Sequence, residues 1–81
     1  MFLQYKGGYT KVMPKPQKYR DVTKFLKSQG WVFLRSGKGS HELWGLPDES
    51  VKATIPKHGE VSAGVVGQLI KMLPDHPSNW R

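Results

Sequence analysis

The chain contains no cysteine among its 81 residues. Disulfide bonds, thiolate metal sites and cysteine nucleophiles are therefore excluded. No run of apolar residues approaches the ~20 that a membrane-spanning helix needs, and residues 1–11 lack the apolar stretch and cleavage site of a secretory signal peptide. We therefore expect a soluble, cytoplasmic protein that does not bind a membrane.

Acidic residues are scarce as well. Six Asp and Glu stand against 13 Lys and Arg, which gives a formal net charge of +7. A positive field of this size on a small domain attracts polyanions, and binding them releases counterions. The charge favours a nucleic acid as the partner, although solubility alone or an acidic partner protein would also explain it.

Histidine occurs only three times, at His41, His58 and His76. These residues lie far apart in the sequence and have few carboxylate neighbours, which is not the spacing of a metal site. We expect no metal ion and no other cofactor.

The sequence divides into a central domain with a segment on either side. Residues 1–17 contain Gly7-Gly8, Pro14 and Pro16 and have no sustained periodicity, which predicts a flexible N-terminal extension. Residues 18–73 hold the periodic apolar patterns and form the predicted domain. Residues 74–81 are predicted to be a short polar tail that leaves its tryptophan without packing partners.

One helix and three strands are predicted in the first part of this domain. Residues 19–30 form an amphipathic helix, and Gly30 supplies the left-handed residue that ends it. Strands are predicted at 31–35, 40–44 and 51–55, because these segments are rich in branched and aromatic residues and are separated by short turns. The apolar stripe of the helix consists of Tyr19, Val22, Phe25 and Leu26.

A second helix is predicted after Ser62, whose hydroxyl is a typical N-cap. Its apolar residues recur at helical spacing; they are Val65, Val66, Leu69, Ile70 and Leu73. The chain is thus an α+β domain, in which a three-stranded antiparallel sheet carries two helices on one face and leaves the other face open to solvent. This α-β-β-β-α layout is that of double-stranded-RNA-binding domains, although a fold alone does not define a function.

The segment YRDVTKFLKSQGWVFLRSGKGSHELW, residues 19–44, resembles the HicA-type toxins of bacterial toxin–antitoxin pairs. The family pattern is a short helix closed by Gly-Trp, a strand, a basic glycine turn, then Gly-Ser-His and an aromatic residue. In this chain the matching residues are Gly30-Trp31, Gly39-Ser40-His41 and Trp44, in the same order and spacing.

A second segment, IPKHGEVSAGVVGQLIK at residues 55–71, is similar to the part of the family that leads into its last helix. Pro56, His58 and Gly64 occupy matching positions. Val65-Val66-Gly67 departs from the family, which more often has Thr-Leu and a polar residue there. Together the two segments extend the resemblance over roughly residues 18–73.

The resemblance implies a double-stranded-RNA-binding-like fold that serves as a small endoribonuclease and cleaves mRNA. It also implies a HicB-type antitoxin protein that covers the active site. In the family the histidine of Gly-Ser-His carries catalysis, and this histidine corresponds to His41.

The chemistry of RNA agrees with a histidine catalyst. The 2′-hydroxyl of RNA can attack the adjacent phosphate without a metal, and the unperturbed pKa of an imidazole, about 6.5, suits transfer of either proton. Side chains alternate across a strand, so His41 and Leu43 share one face while Ser40, Glu42 and Trp44 share the other. We expect the Trp44 face to be covered by the helices and His41 to lie on the open face. From the residues alone, the alternative is that His41 is a strand residue without a catalytic role.

Four further residues are candidate RNA contacts. Lys38, in the turn before the motif, and Arg35, at the end of the first strand, would place positive charge near the scissile phosphate. Lys57 and His58 lie in the loop after the third strand, where His58 is the candidate for a second proton-transfer group. The alternative for each is a solvated side chain without a chemical role.

Two other functional classes remain open at this stage. A non-catalytic RNA-binding module would use the same basic sheet, and a protein-interaction domain would use it to bind an acidic partner. The side chains of Trp31 and Trp44 could stack on bases or pack in the hydrophobic core. Their apolar neighbours favour packing in the core.

Overall fold

The computed structural model describes residues 14–57 and 59–81. The α-β-β-β-α order predicted from the sequence is confirmed, and each of the three main strands lies one residue later than predicted. The elements in chain order are β1 (Gln17–Lys18), α1 (Tyr19–Ser28), β2 (Val32–Ser36), β3 (His41–Gly45), β4 (Lys52–Pro56), β5 (Glu60–Val61), α2 (Ala63–Met72) and a final 3₁₀ turn (Ser78–Trp80).

Helix α1 packs through the stripe that the sequence predicts. Val22 and Leu26 have no exposed surface, and Tyr19 and Phe25 are half-buried against the same core. Gly30, two residues after the end of α1, has a positive φ of 86°. This conformation costs glycine little because it has no Cβ. The chain can therefore turn directly from α1 into β2.

The sheet has the order β2-β3-β4, and both pairings are antiparallel. Trp44 pairs with Ala53 and Glu42 pairs with Ile55. Directly opposite residues share a face, so these four side chains lie on one side of the sheet. Trp44, Ala53 and Ile55 are all buried, which identifies this side as the one covered by the helices.

Gly45, at the end of β3, allows a close approach of two backbone segments. A Cβ at this position would lie 2.3 Å from the carbonyl oxygen of Val51 and 2.7 Å from the Cβ of Lys52. No other residue fits here without a shift of the backbone, and the tight turn into β4 depends on it.

Helix α2 begins at the predicted N-cap. The Ser62 hydroxyl accepts a hydrogen bond from the backbone amide of Val65 at 3.4 Å. Val66, Leu69 and Leu73 are buried in the core, so α2 covers the same face of the sheet as α1. The core is completed by partly buried side chains of the predicted stripe, Val65 and Ile70.

The C-terminal tail packs against the domain, and the prediction that its tryptophan lacks partners was wrong. Trp80 is only 2% exposed, and its ring lies edge-on to Phe25 of α1 at a centroid distance of 5.3 Å. The tail is held in place because the Trp80 carbonyl accepts a hydrogen bond from the Lys15 amide at 2.8 Å and the Asn79 carbonyl accepts one from Gln17 Nε2 at 3.0 Å.

These contacts involve residues on both sides of the predicted domain. Gln17 also pairs with Val61 in the short β1–β5 ribbon, which the sequence did not reveal. Residues 1–13 of the predicted extension lie outside the described residues, and the division at 17/18 and 73/74 stays a prediction. Over the described part of the chain, no helix is long and apolar enough to span a membrane.

Candidate functional site

His41 is the first residue of β3, the central strand, and its side chain is exposed. The preceding hairpin turn fixes its backbone from both sides. Its amide donates a hydrogen bond to the Lys38 carbonyl at 3.0 Å, and its carbonyl accepts one from the Gly37 amide at 2.8 Å. The imidazole therefore projects from a well-defined position at one end of the sheet.

The open face is the one that carries His41, as the alternation of side chains predicts. Trp44 lies on the helix-covered face and is 4% exposed, whereas His41 pairs with Pro56 on the other face. Further along the same face, Leu43 lies between Arg35 and Thr54. The imidazole thus lies at the edge of an exposed surface that a large ligand can approach.

Two of the predicted RNA contacts flank His41. Lys38 lies in the hairpin turn, and its carbonyl binds the His41 amide. Lys57 follows β4, and its amide donates a hydrogen bond to the Ser40 carbonyl at 2.7 Å. Both lysines are exposed. The fold therefore brings two cationic residues to the end of the sheet where His41 lies, while His58 falls outside the described residues.

Arg35 has a different environment from the two lysines. Its guanidinium forms an ion pair with Glu49 at 3.2 Å, and Lys52 contacts the same carboxylate at 3.2 Å. Hydrogen bonds from Arg35 and Lys52 lower the pKa of the Glu49 carboxyl. Glu49 lies in the β3–β4 turn, at the opposite end of β3 from His41, so the ion pair directs Arg35 away from the histidine.

A polar cluster that the sequence did not reveal joins α1 to β3. Glu42 Oε1 accepts hydrogen bonds from the Tyr19 hydroxyl at 2.5 Å and from Trp44 Nε1 at 3.0 Å. Burial, the hydrogen bond to Glu42 and its negative charge raise the pKa of Tyr19 to about 12. Burial alone would raise the pKa of Glu42, but the hydrogen bonds from Tyr19 and Trp44 and the charge of Lys57 together lower it.

This cluster positions the strand that carries the histidine. Glu42 is the neighbour of His41 and points to the opposite face, where it is tied to Tyr19, the first residue of α1. The sequence contained part of the signal, because Glu42 and Trp44 are two residues apart on one strand and must share a face. The contribution of Tyr19 depends on how α1 crosses the sheet, which a strand pattern cannot reveal.

The described part of the site places an imidazole at the same end of the sheet as the backbones of two lysines. Among residues 14–57 and 59–81, no three His, Asp or Glu side chains come together as metal ligands. An exposed imidazole can accept or donate a proton to a bound ligand, and nearby lysines can stabilise a negative charge that develops on it.

The topology defines a small α+β domain, with an arrangement of helices and strands like that of double-stranded-RNA-binding domains. A family model described as the HicA toxin of bacterial toxin–antitoxin systems matches residues 19–73. The match spans more than half of the chain, so the protein belongs to the HicA toxin family, as the sequence motifs predict. The matched segment includes Gly39-Ser40-His41 and both helices. Neither the curated proteins nor the solved structures gave a match.

Proposed function

We propose that this protein is the endoribonuclease of a toxin–antitoxin pair and that it cleaves mRNA without a metal ion, with His41 as a general acid or base. Membership of the HicA family supports an activity on mRNA. The observation that carries the assignment to His41 is its exposure at the end of β3, between the backbones of Lys38 and Lys57.

The proposed reaction is an internal transfer within the RNA. The ribose 2′-oxygen forms a bond to the adjacent phosphorus while the bond from phosphorus to the 5′-oxygen breaks, which leaves a 2′,3′-cyclic phosphate and a 5′-hydroxyl. One proton leaves the 2′-hydroxyl and another is delivered to the departing 5′-oxygen. A positioned histidine typically contributes about 10²–10⁴-fold to such a step.

A single imidazole cannot fill both proton roles in the same step. His41 takes one of them, and His58, a lysine or a water takes the other. Lys38 and Lys57 are the proposed contacts to the scissile phosphate, because their backbones lie at the end of β3 that carries His41 and an ammonium stabilises the charge that develops around phosphorus. Arg35 is a weaker candidate, since a phosphate would have to replace the Glu49 carboxylate that now binds it.

The proposed partner is a HicB-type antitoxin that covers His41 and its open face. An exposed strand surface with an imidazole at one end suits such inhibition, because a protein that covers it excludes RNA at the same time. The predicted cytoplasmic location belongs to this proposal, since mRNA and the antitoxin would both be met there.

The test is cleavage of a defined RNA by the purified protein in EDTA. We expect the wild-type protein and a His76→Ala variant to give products with 2′,3′-cyclic phosphate ends, and His41→Ala to form them about 10²–10⁴-fold more slowly. Cleavage by His41→Ala at the wild-type rate, or a requirement for Mg²⁺, would contradict the mechanism. Salt-sensitive RNA binding without products from any variant would instead favour the non-catalytic RNA-binding module.

A further inference from the structure

A second surface on the molecule combines an exposed aromatic ring with a cation. It is a groove of about 450 Å³ between α1 and the edge strand β2, on the helix-covered side of the sheet. Its lining includes the rings of Phe33 and Trp44, Lys27 of α1, and the side chains of Tyr19 and Glu42. We call it the Phe33 groove. The mechanism proposed for His41 does not use it.

Phe33 is exposed in an arrangement that leaves its ring available. It is 46% exposed, more than any other large apolar side chain in the described part of the chain. Its ring meets Trp44 in an edge-to-face contact, with centroids 6.1 Å apart and planes at 71°. Such a contact occupies at most one face of either ring, so the exposed Phe33 ring can accept a flat partner.

The groove is lined by one cationic and one anionic side chain, Lys27 and Glu42. Lys27 Nζ lies over the Trp44 ring, 5.9 Å from its centroid, which places an ammonium beside the aromatic wall. The carboxylate of Glu42 accepts hydrogen bonds from the Tyr19 hydroxyl and from Trp44 Nε1. The groove therefore presents the Lys27 ammonium and the Phe33 ring together, while the Glu42 carboxylate is engaged by Tyr19 and Trp44.

An aromatic face beside a cation is the arrangement by which proteins bind single-stranded nucleic acid, because the base stacks while the cation contacts the phosphate. We propose that the Phe33 groove binds one unpaired nucleotide of RNA, with its base stacked on Phe33 and its phosphate beside Lys27. This inference rests on the proposed function, since it takes RNA as the ligand. It assigns Phe33 and Lys27 to substrate binding.

The fold allows one RNA strand to reach both surfaces. Phe33 pairs with Trp44, three residues beyond His41 on β3, which corresponds to about 10 Å along the strand. The two side chains lie on opposite faces, but β2 is an edge strand, so a polynucleotide can pass around it. The bound nucleotide must be unpaired, because a base within a duplex has no free face.

The test uses a single-stranded oligoribonucleotide that contains 2-aminopurine, whose fluorescence falls when the base stacks. All proteins carry His41→Ala so that the probe stays intact. We expect Phe33→Leu to abolish the quenching and to weaken binding at least about fivefold, while Phe33→Trp keeps both. Met72→Ala is the matched control, since Met72 is 41% exposed on α2 and should leave both unchanged.

Lys27→Gln provides an independent readout. Loss of one phosphate contact should make the negative slope of log K against log[salt] shallower by about one. If Phe33→Leu kept the wild-type quenching and affinity, the inference would be overturned and a protein would become the candidate ligand of the groove. An absence of RNA binding by all variants would also overturn the inference. In a parallel cleavage assay with proteins that keep His41, a rate that falls in His41→Ala but is unchanged in Phe33→Leu would overturn the subsite alone. Phe33-dependent binding by a protein that never cleaves would instead remove the proposed function and keep the subsite.

Discussion

Replacing Tyr19 by Phe or Glu42 by Gln tests whether the polar cluster holds β3 against α1. Tyr19→Phe removes the hydroxyl that donates to Glu42 Oε1 and keeps the aromatic ring. Glu42→Gln keeps the shape of the side chain and removes its charge. Both changes loosen the link between the start of α1 and the strand that begins with His41.

The expected loss is modest because both side chains are only half-buried. A buried hydrogen bond to a charged group contributes about 1.5–3 kcal/mol, and partial exposure places this one near the lower limit or below it. We expect each variant to lose about 1 kcal/mol of unfolding free energy. In a domain of this size, that corresponds to a melting temperature about 4–8 °C lower.

The dependence on pH distinguishes the charge from simple packing. The folded protein lowers the pKa of Glu42 below its ordinary value of 4.5, so the unfolded chain binds a proton more readily. The resulting stabilisation is present above pH 4.5 and is lost as the pH falls through the folded pKa. The stability difference between the wild-type protein and Glu42→Gln should therefore shrink below pH 4.5.

Urea unfolding at pH 7 and at several values below 4.5 measures this difference. Glu60→Gln serves as the control, because Glu60 is an exposed glutamate on β5 and its substitution should have little effect at any pH. A difference in unfolding free energy between the wild-type protein and Glu42→Gln that stays constant with pH would refute the electrostatic argument. An equal effect of Glu60→Gln would show that net charge, not the cluster, is responsible.

Three further predictions follow from particular contacts. Gly45→Ala should destabilise the fold by about 1–3 kcal/mol, since its Cβ would meet the Val51 carbonyl; urea unfolding with wild-type stability would contradict this. Trp80→Ala should cost about 3–5 kcal/mol and lower the melting temperature sharply, because Trp80 is buried in the core; a wild-type melting temperature would contradict this. Glu49→Gln should strengthen RNA binding if Arg35 contacts RNA, because it releases the guanidinium; an unchanged affinity would remove Arg35 from the interface.

The main elements were predictable because their signals are local. The stripe through Val22 and Leu26 marks α1, Gly30 marks its end, and Ser62 marks the start of α2. Strand alternation also placed His41 correctly on the open face, because Trp44 identified the buried one. Each of these inferences needs only the period of the element and one anchoring residue.

The remaining features depend on segments that are distant in the sequence. Trp80 looked unpacked because its partner, Phe25, lies 55 positions earlier. The β1–β5 ribbon has two residues in each strand, too few for a period to appear. The Arg35–Glu49 ion pair joins β2 to the β3–β4 turn, with a bulge between Phe33 and Arg35. The roles of Lys38, Lys57 and His58 stay predictions.

The central claim is that the His41 imidazole transfers a proton during RNA cleavage. Its most direct test is the single-turnover cleavage rate of His41→Ala relative to wild type, measured in EDTA with enzyme in excess and with both proteins shown to be folded. We predict a loss of about 10²–10⁴-fold, with His76→Ala retaining the wild-type rate. A His41→Ala variant that cleaves as fast as the wild-type protein would contradict the claim.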